Sequence, residues 1–173
     1  MTYEDLHDVV LLHGKSIYSF CRHLTENAAD ADDLYQETFL KAAELCHKIN
    51  KSQNPRAFLI RIAAGLWRNS IRKEAGRRKI LPFSSLSDGE EAVSPEQPPE
   101  TALLQREESE LLSLCAKRLK PKLRLPLYMY YTAELSLSEI ASILHVPVGT
   151  VKSRLWRAKQ ELKHDLEVHG YET

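Results

Sequence analysis

The sequence has few of the residues that build disulfide frameworks, metal centres or phosphate-binding loops. It contains three cysteines and six glycines in 173 residues. An odd number of cysteines, each inside an apolar helical pattern, indicates reduced core residues instead of a disulfide framework; they are Cys21, Cys46 and Cys115. The sequence also lacks the paired Cys or His spacing of a zinc site, a glycine-rich phosphate loop and a Ser/His/Asp order, which argues against an enzyme and against a metal.

Long apolar runs and net charge are lacking as well. No stretch approaches the roughly 20 apolar residues of a membrane span. The first residues, Met-Thr-Tyr-Glu-Asp, are acidic where a signal peptide is basic. We therefore expect a cytoplasmic protein without membrane insertion. Because the formal net charge is zero, a surface for nucleic acid has to come from segregation of charge along the chain.

Charge is strongly segregated. Residues 1–53 carry 5 basic and 9 acidic side chains, residues 54–80 carry 8 and 1, residues 81–110 carry 1 and 8, and residues 111–173 carry 10 and 6. Residues 81–100 combine four prolines with serines and acids and contain no basic residue, a composition that cannot bury enough apolar area to fold. The sequence predicts two small domains, each with a basic surface, joined by a flexible acidic linker.

The remaining chain has the periodicity of helices. Apolar residues recur at spacings of three and four, and Asn27 to Asp30 and Asn54-Pro55 have the composition of helix starts. Similar patterns predict helices from Leu103 to Leu119 and from Leu125 to Leu135. The expected fold class is all-α.

The stretch "LSLSEIASILHVPVGTVKSRLWRAKQELK", residues 135–163, predicts a helix, a tight turn and a second helix. Ser136 and Glu139 have the spacing of a capping box, and Pro147 suits a first helical turn. Away from its apolar stripe, the second helix carries polar residues and a tryptophan. Such a face is often merely solvated, but cations and short donors beside an exposed Trp suit the major groove of DNA; the candidate contacts are Lys152, Ser153, Arg154, Trp156 and Arg157.

Three segments together resemble one protein family. In chain order, "DADDLYQETFLKA", "NPRAFLIRIAAGLWRNSIRKEAGRRK" and the stretch quoted above resemble the core-binding segment of region 2, the promoter-melting segment of region 2, and region 4 of a bacterial RNA polymerase sigma factor of the extracytoplasmic-function (ECF) group. The resemblance covers residues 3 to about 165. It implies a sigma region 2 helical bundle in residues 1–80, the linker in residues 81–102 and a region 4 helix-turn-helix in residues 103–168.

The resemblance also implies a function. The chain is expected to be an alternative sigma factor that binds RNA polymerase core and directs promoter-specific initiation, including strand opening, without cofactor or active site. Its expected partners are the clamp helices of the largest polymerase subunit, the flap of the second largest, promoter DNA and an anti-sigma factor. The acidic linker is expected to thread along the polymerase channel that nascent RNA later follows.

Residue roles carry over by position. The polymerase contacts implied by the resemblance are Asp33, Gln36, Glu37 and Leu40. The residues implied for the minus-ten element are Arg61, Gly65, Arg68, Asn69 and Arg72, with the preceding loop at residues 47–55 accepting a flipped base. Region 4 is implied to contact the minus-thirty-five element through the five candidates on its second helix. Two positions depart from the common pattern: members usually have Asn at Gly65 and Gly at His145.

The sequence is also compatible with a different class of protein. A helix-turn-helix regulator that acts on duplex DNA without being a polymerase subunit explains residues 135–163. It leaves "DDLYQETF" and the basic block from Arg61 to Lys79 without a role. A purely structural or adaptor protein explains still less. Co-purification with RNA polymerase core separates these hypotheses.

Overall fold

The computed structural model describes residues 3–48, 54–80 and 100–170, and the side chains of residues 4–48, 54–79 and 107–170. These residues form helices and no strands, which confirms the all-α prediction. The helices are α1 (Tyr3–Leu24), α2 (Ala28–Leu45), α3 (Pro55–Ile80), α4 (Glu100–Arg118), α5 (Pro121–Tyr131), α6 (Leu137–Leu144) and α7 (Val148–Val168), with a short 3-10 helix at Cys46–Lys48.

The first three helices pack as a bundle. Helix α2 begins as predicted, because the side chain of Asn27 accepts a hydrogen bond from the backbone N–H of Asp30 at 2.8 Å. Asn54 caps α3 in the same way, accepting from the N–H of Arg56 at 3.1 Å. The bundle interior is apolar; its fully buried side chains include Ile17, Phe20, Leu24, Leu59 and Ile60.

Helix α3 is buried over a wider arc than its sequence suggested. The three- and four-residue spacing of its apolar residues places Leu59, Ile62, Ala63 and Leu66 on the inward side; Leu59, Ile62 and Ala63 are buried, and Leu66 is half-buried. Ala64 and Trp67 are buried too, with Trp67 only 3% exposed. Trp67 is covered by the second half of the chain, since the guanidinium carbon of Arg124 lies 4.9 Å from the centroid of its ring.

The second half contains the predicted helix-turn-helix. The capping box is present: Glu139 N–H donates to Ser136 Oγ at 3.2 Å, and Ser136 N–H donates to Glu139 Oε2 at 2.8 Å. His145 ends α6 in the left-handed region, at φ 55° and ψ 46°, a conformation that usually favours Gly. Its backbone N–H bonds to the carbonyl of Ala141, which satisfies a terminal acceptor of the helix.

Several helix boundaries differ from the sequence interpretation: helix α4 begins at Glu100 instead of Leu103, and helix α5 ends at Tyr131 instead of Leu135. Helix α5 starts at Pro121 instead of Leu125, because Pro121 supplies the fixed φ and missing N–H that suit a first helical position. Pro126 therefore lies inside the helix. Pro147 is the residue preceding α7 and not part of its first turn, since its ψ of 152° is extended.

The two halves are packed against each other through α1, α4 and α5. The rings of His23 on α1 and Tyr128 on α5 lie 5.0 Å apart, and buried apolar residues of both halves form one continuous cluster. Residues 100–102 of the predicted linker belong to α4. Most of that linker, residues 81–99, and residues 49–53 of the predicted base-accepting loop lie outside the described residues.

Candidate functional site

The acidic face of α2 points to solvent. At 100° per residue, the four positions predicted to contact polymerase fall within about 100° of the helix circumference, and all four side chains are exposed: Asp33, Gln36, Glu37 and Leu40. Leu40 is 68% exposed, which leaves an apolar side chain in the middle of acidic and amide groups. The opposite side of α2 is in the core, through residues such as Leu34 and Ala42.

Two other acids near this face have structural partners. Asp32 accepts a hydrogen bond from Tyr18 Oη on α1 at 2.8 Å, and this bond is the largest cause of a raised pKa of the Tyr18 hydroxyl. Asp30 accepts from the side chain of Asn27 at 2.9 Å at the start of α2. The hydrogen bond of Asp32 thus joins α1 to α2, and that of Asp30 stays at the start of α2, which distinguishes both acids from the four predicted polymerase contacts.

The basic face of α3 also forms one arc. The five positions assigned to the minus-ten element fall within about 100° of the helix circumference; they are Arg61, Gly65, Arg68, Asn69 and Arg72. Arg61, Asn69 and Arg72 are exposed, whereas Arg68 and Gly65 are half-buried. A Cβ at Gly65 would meet no atom within 4 Å outside the helix's own turn, so close packing does not require glycine there.

The outward face of α7 carries most of the predicted region 4 contacts. Lys152, Ser153, Trp156 and Arg157 are all exposed, and Trp156 is 63% exposed. The apolar stripe on the other side is buried, as predicted, at Val151, Leu155 and Ala158. Trp156 is therefore a surface residue and not part of the core.

Arg154 does not share that face. It lies on the opposite flank of the apolar stripe from Lys152, it is half-buried, and it faces α3 of the first half. The sequence places Arg154 between Ser153 and Leu155, but its burial depends on how the two halves dock. The structure thus brings four of the five candidates together and sets the fifth apart.

The start of α7 is suited to a phosphate. Pro147, which precedes the helix, makes no side-chain cap, and helix N-termini attract anions through unpaired N–H groups and the helix dipole. Lys152 lies in the second turn and adds a positive charge. Ser153 Oγ donates to the carbonyl of Thr150 at 3.0 Å, so its hydroxyl oxygen remains available as an acceptor.

Several important side chains were not identified from the sequence. Arg124 on α5 is buried and Tyr128 is 5% exposed; burial raises the pKa of Tyr128 to about 12. The available signal was a lone arginine inside the apolar run "LRLPLYM". At the surface, Lys159 Nζ lies 5.4 Å from the ring centroid of Tyr131, and the Tyr131 hydroxyl raises the pKa of Lys159.

The cysteines are core residues, as predicted. Cys21, Cys46 and Cys115 are free and buried, and burial raises the pKa of the Cys21 thiol to about 12. In the part of the chain that the structure describes, no three His, Cys, Asp or Glu side chains are grouped to hold a metal ion. No described helix is both long and apolar enough to cross a membrane.

Two family models match this chain. Sigma-70 region 2 matches residues 9–77, which include the α2 and α3 faces. Sigma-70 region 4 matches residues 109–162, which include the helix-turn-helix. The order of the two matches along the chain is the one expected from the sequence.

Individual relatives agree with these matches. The ECF RNA polymerase sigma factor SigW of Bacillus subtilis is 30% identical over 169 residues, 92% of this chain and 87% of that protein. The ECF RNA polymerase sigma factor EcfG of Rhodopseudomonas palustris is 33% identical over 98% of this chain and 89% of its own length. Among solved structures, the sigma factor RpoE of Bartonella quintana, in complex with the anti-sigma factor NepR, shares the fold with a TM-score of 0.79 and 22% identity, covering 95% of this chain and 98% of that one. The chain thus belongs to the ECF group of RNA polymerase sigma factors, and it is an alternative sigma factor that directs promoter-specific transcription.

Proposed function

We propose that three helix faces of this sigma factor have separate functions in transcription initiation. The α2 face binds polymerase core, the α3 face binds and opens the minus-ten element, and the outward face of α7 reads the minus-thirty-five element. Residues 1–80 carry the first two functions, residues 103–168 carry the third, and residues 81–102 connect them. The observation that carries this proposal is that each face lies on the side of its helix that the apolar core does not use.

The α2 face suits a basic partner with an apolar patch. Asp33 and Glu37 provide negative charge, Gln36 can donate and accept hydrogen bonds, and Leu40 supplies apolar area. Acidic and amide groups of this kind give an interface its charge complementarity and its register. We assign this surface to the clamp helices of the largest polymerase subunit.

The α3 face suits a separated DNA strand. Arg61 and Arg72 are exposed cations that can hold phosphates, and Asn69 adds an amide that can meet a base edge. Removing a base from the stack costs a few kcal/mol of free energy. Contacts to the displaced base and to its phosphates must offset this cost. Strand opening is assigned to this face and to the loop at residues 47–55. The chain acts here by binding, and the chemistry of RNA synthesis belongs to the polymerase.

Region 4 suits duplex DNA and a second polymerase contact. The start of α7 is suited to bind a phosphate, and the exposed Arg157 can reach either a base edge or a phosphate oxygen. We assign the flap of the second-largest polymerase subunit as the protein partner of this domain. Since both polymerase and promoter are inside the cell, the chain is proposed to work in the cytoplasm.

An anti-sigma factor is a further proposed partner. The solved relative RpoE is in complex with the anti-sigma factor NepR. CnrH, which is in complex with the cytosolic domain of CnrY, shares the fold with a TM-score of 0.69 and 20% identity, over 96% of this chain and 90% of its own. In this chain, a groove of about 540 Å³ between α1, α4, α5 and α7 has apolar walls that include Leu112, Leu127 and Leu162. It is wide enough to hold side chains of an amphipathic segment.

The polymerase assignment is tested with a double variant of α2. Asp33→Arg with Gln36→Ala reverses one charge and removes one amide on the exposed face, and it is expected to cost about 2–5 kcal/mol of core binding if both groups are desolvated there. Asp8→Arg, at an exposed position on α1, is the matched control. Affinity is measured with purified polymerase core, and circular dichroism checks the helical content. Equal affinities for the double variant and the wild type, with both folded, contradict the assignment.

A further inference from the structure

Four cationic side chains line one small cavity. The cavity has a volume of about 260 Å³ and lies between α3, α5 and α7. Arg68 and Arg72 contribute from α3, Lys122 contributes from α5, and Arg154 contributes from α7. Among the described residues that line this cavity, none is acidic. The cavity therefore concentrates positive charge without negative charge on its walls.

The same four cations have no acidic partner elsewhere in residues 4–48, 54–79 and 107–170. Other arginines in these ranges, such as Arg78 and Arg124, each form an ion pair with a glutamate. Arg68 and Arg154 are half-buried, and like charges repel each other more strongly where water is partly excluded. An anion inside the cavity would offset this repulsion.

The walls between the cations are apolar. They include Trp67 and Leu125, each 3% exposed, and the side chains of Ile71 and Leu144. Apolar walls lower the local dielectric constant, which strengthens the attraction between a bound anion and the cations around it. Because the volume is below the roughly 300–1,000 Å³ of pockets for drug-sized ligands, the cavity suits a small anion.

The start of α5 adds to the positive potential of the cavity. Pro121, the first residue of this helix, lines the cavity together with Lys122. Lys120, which precedes the helix, makes no side-chain cap, and the positive end of a helix dipole attracts anions such as phosphate. The helix start thus supports the same ligand charge as the four cationic side chains.

We propose that this cavity binds a small molecule that carries a diphosphate. A phosphoryl group has a charge of about −1.5 to −2 near pH 7, so two such groups nearly balance four cations. The guanidinium groups of the three arginines can donate paired hydrogen bonds to phosphate oxygens. The phosphates of DNA are spread along a backbone, whereas these cations surround one compact space.

Binding here has a consequence for promoter recognition, which rests on the proposed assignment of α3 to the minus-ten element. Arg68 and Arg72 belong to that face, so a bound diphosphate and the promoter strand compete for them. Each ligand then lowers the affinity of the other by the same factor. Lys122 lies outside every face assigned to polymerase or promoter, so its substitution affects the diphosphate site alone.

The test measures binding of pyrophosphate to the full chain through the fluorescence of Trp67. The sequence has two tryptophans, and Trp156→Phe leaves Trp67, which lines the cavity, as the remaining one. In this background, Lys122→Ala removes a lining cation at an exposed position, and Lys73→Ala removes an exposed cation of α3 that does not line the cavity. Titrations are made without magnesium, and sodium sulfate at equal ionic strength is the control for salt.

We expect a saturable change in Trp67 fluorescence with pyrophosphate and none with sulfate. Lys122→Ala should weaken pyrophosphate binding roughly three- to tenfold, while Lys73→Ala should leave it unchanged. The absence of a saturable change, or an equal loss in both variants, overturns the site. Adenosine diphosphate is titrated in parallel. Both results with it support the site: tighter binding than pyrophosphate identifies a nucleoside diphosphate as the ligand class, and weaker binding identifies an inorganic diphosphate.

A single-stranded minus-ten oligonucleotide is titrated into the same proteins. Equal DNA affinities for Lys122→Ala and its parent support a site for a small anion. A loss of DNA affinity as large as the loss of pyrophosphate affinity assigns these cations to the promoter strand and overturns the proposal. Pyrophosphate that binds at the cavity without displacing the oligonucleotide supports the site and contradicts the assignment of Arg68 and Arg72 to the minus-ten element.

Discussion

The side-chain amide of Asn54 donates a hydrogen bond to Oε1 of Glu139 at 2.8 Å, while the backbone N–H of Ser136 donates to Oε2 of the same carboxylate. One acid thus caps α6 and also binds the start of α3. Burial opposes ionisation of Glu139, but the hydrogen bonds from Ser136 and Asn54 and the charge of Arg56 outweigh it, so the pKa of this carboxyl is lowered.

A pH dependence of stability follows. Since the pKa of Glu139 is lower in the folded chain, its contribution is complete above the ordinary value of 4.5 and is lost as the pH falls through the folded pKa. We expect Glu139→Ala to be less stable than the wild type by roughly 0.5–1 kcal/mol at pH 7. The difference in the free energy of unfolding between Glu139→Ala and the wild type should narrow below pH 4.5. Urea unfolding from pH 7 to about pH 3.5, with Glu108→Ala as control, measures this difference. A difference that stays constant over this range contradicts a stabilising role of the ionised Glu139.

The glycine on the minus-ten face is predicted to be replaceable. Because nothing lies within 4 Å of a Cβ at Gly65, and Gly lowers the stability of helix interiors, Gly65→Ala should raise the free energy of unfolding by about 0.5–1 kcal/mol. Gly65→Asn should raise it less and should add an amide that alters base preference at the minus-ten element. Urea midpoints and a panel of single-base promoter variants test the two effects. Loss of stability in Gly65→Ala would show that the position needs glycine after all.

Substitution of the exposed tryptophan of α7 should weaken DNA binding without lowering the stability of the fold. Trp156 is 63% exposed, so Trp156→Ala should leave the melting temperature within about 2 °C of the wild type. We expect weaker binding to the minus-thirty-five duplex, because the ring can pack on sugars or thymine methyl groups. Leu155→Ala, at a buried neighbour, is the control that should lower the melting temperature. Unchanged DNA affinity for Trp156→Ala excludes the ring from the interface.

Substitutions of two cations of α7 should lower DNA affinity in different ways. Arg157→Ala is expected to cost about 1–3 kcal/mol and to flatten preference at one or two positions of the minus-thirty-five element. Lys152→Ala, near the helix start, should weaken all sequences evenly and lower the salt slope by about one. Titrations on single-base variants at several salt concentrations distinguish them. Uniform losses for both substitutions mean that this helix contacts only the backbone.

Local signals were predictable from the sequence, whereas docking of the halves was not. The capping box of Ser136 and Glu139 and the Asn54 cap are contacts over two or three positions, so their spacing alone indicates them. The burial of Trp67 and the half-burial of Arg154 depend on side chains more than 50 positions away. Periodicity within one helix cannot show which flank a distant helix covers. The sequence interpretation started α5 at Leu125, because it followed the apolar run and did not use Pro121 as a helix start.

The assignment of strand opening to α3 is tested most directly by permanganate footprinting of a promoter with reconstituted holoenzyme. Permanganate oxidises unpaired thymines, so it reports opening independently of binding. The double variant Arg61→Ala and Arg68→Ala is expected to keep the polymerase on the promoter but to reduce permanganate reactivity at the minus-ten element. Lys79→Ala, at the exposed end of the same helix, should leave reactivity unchanged. Normal reactivity with the double variant would contradict the account and place the opening function elsewhere in the chain.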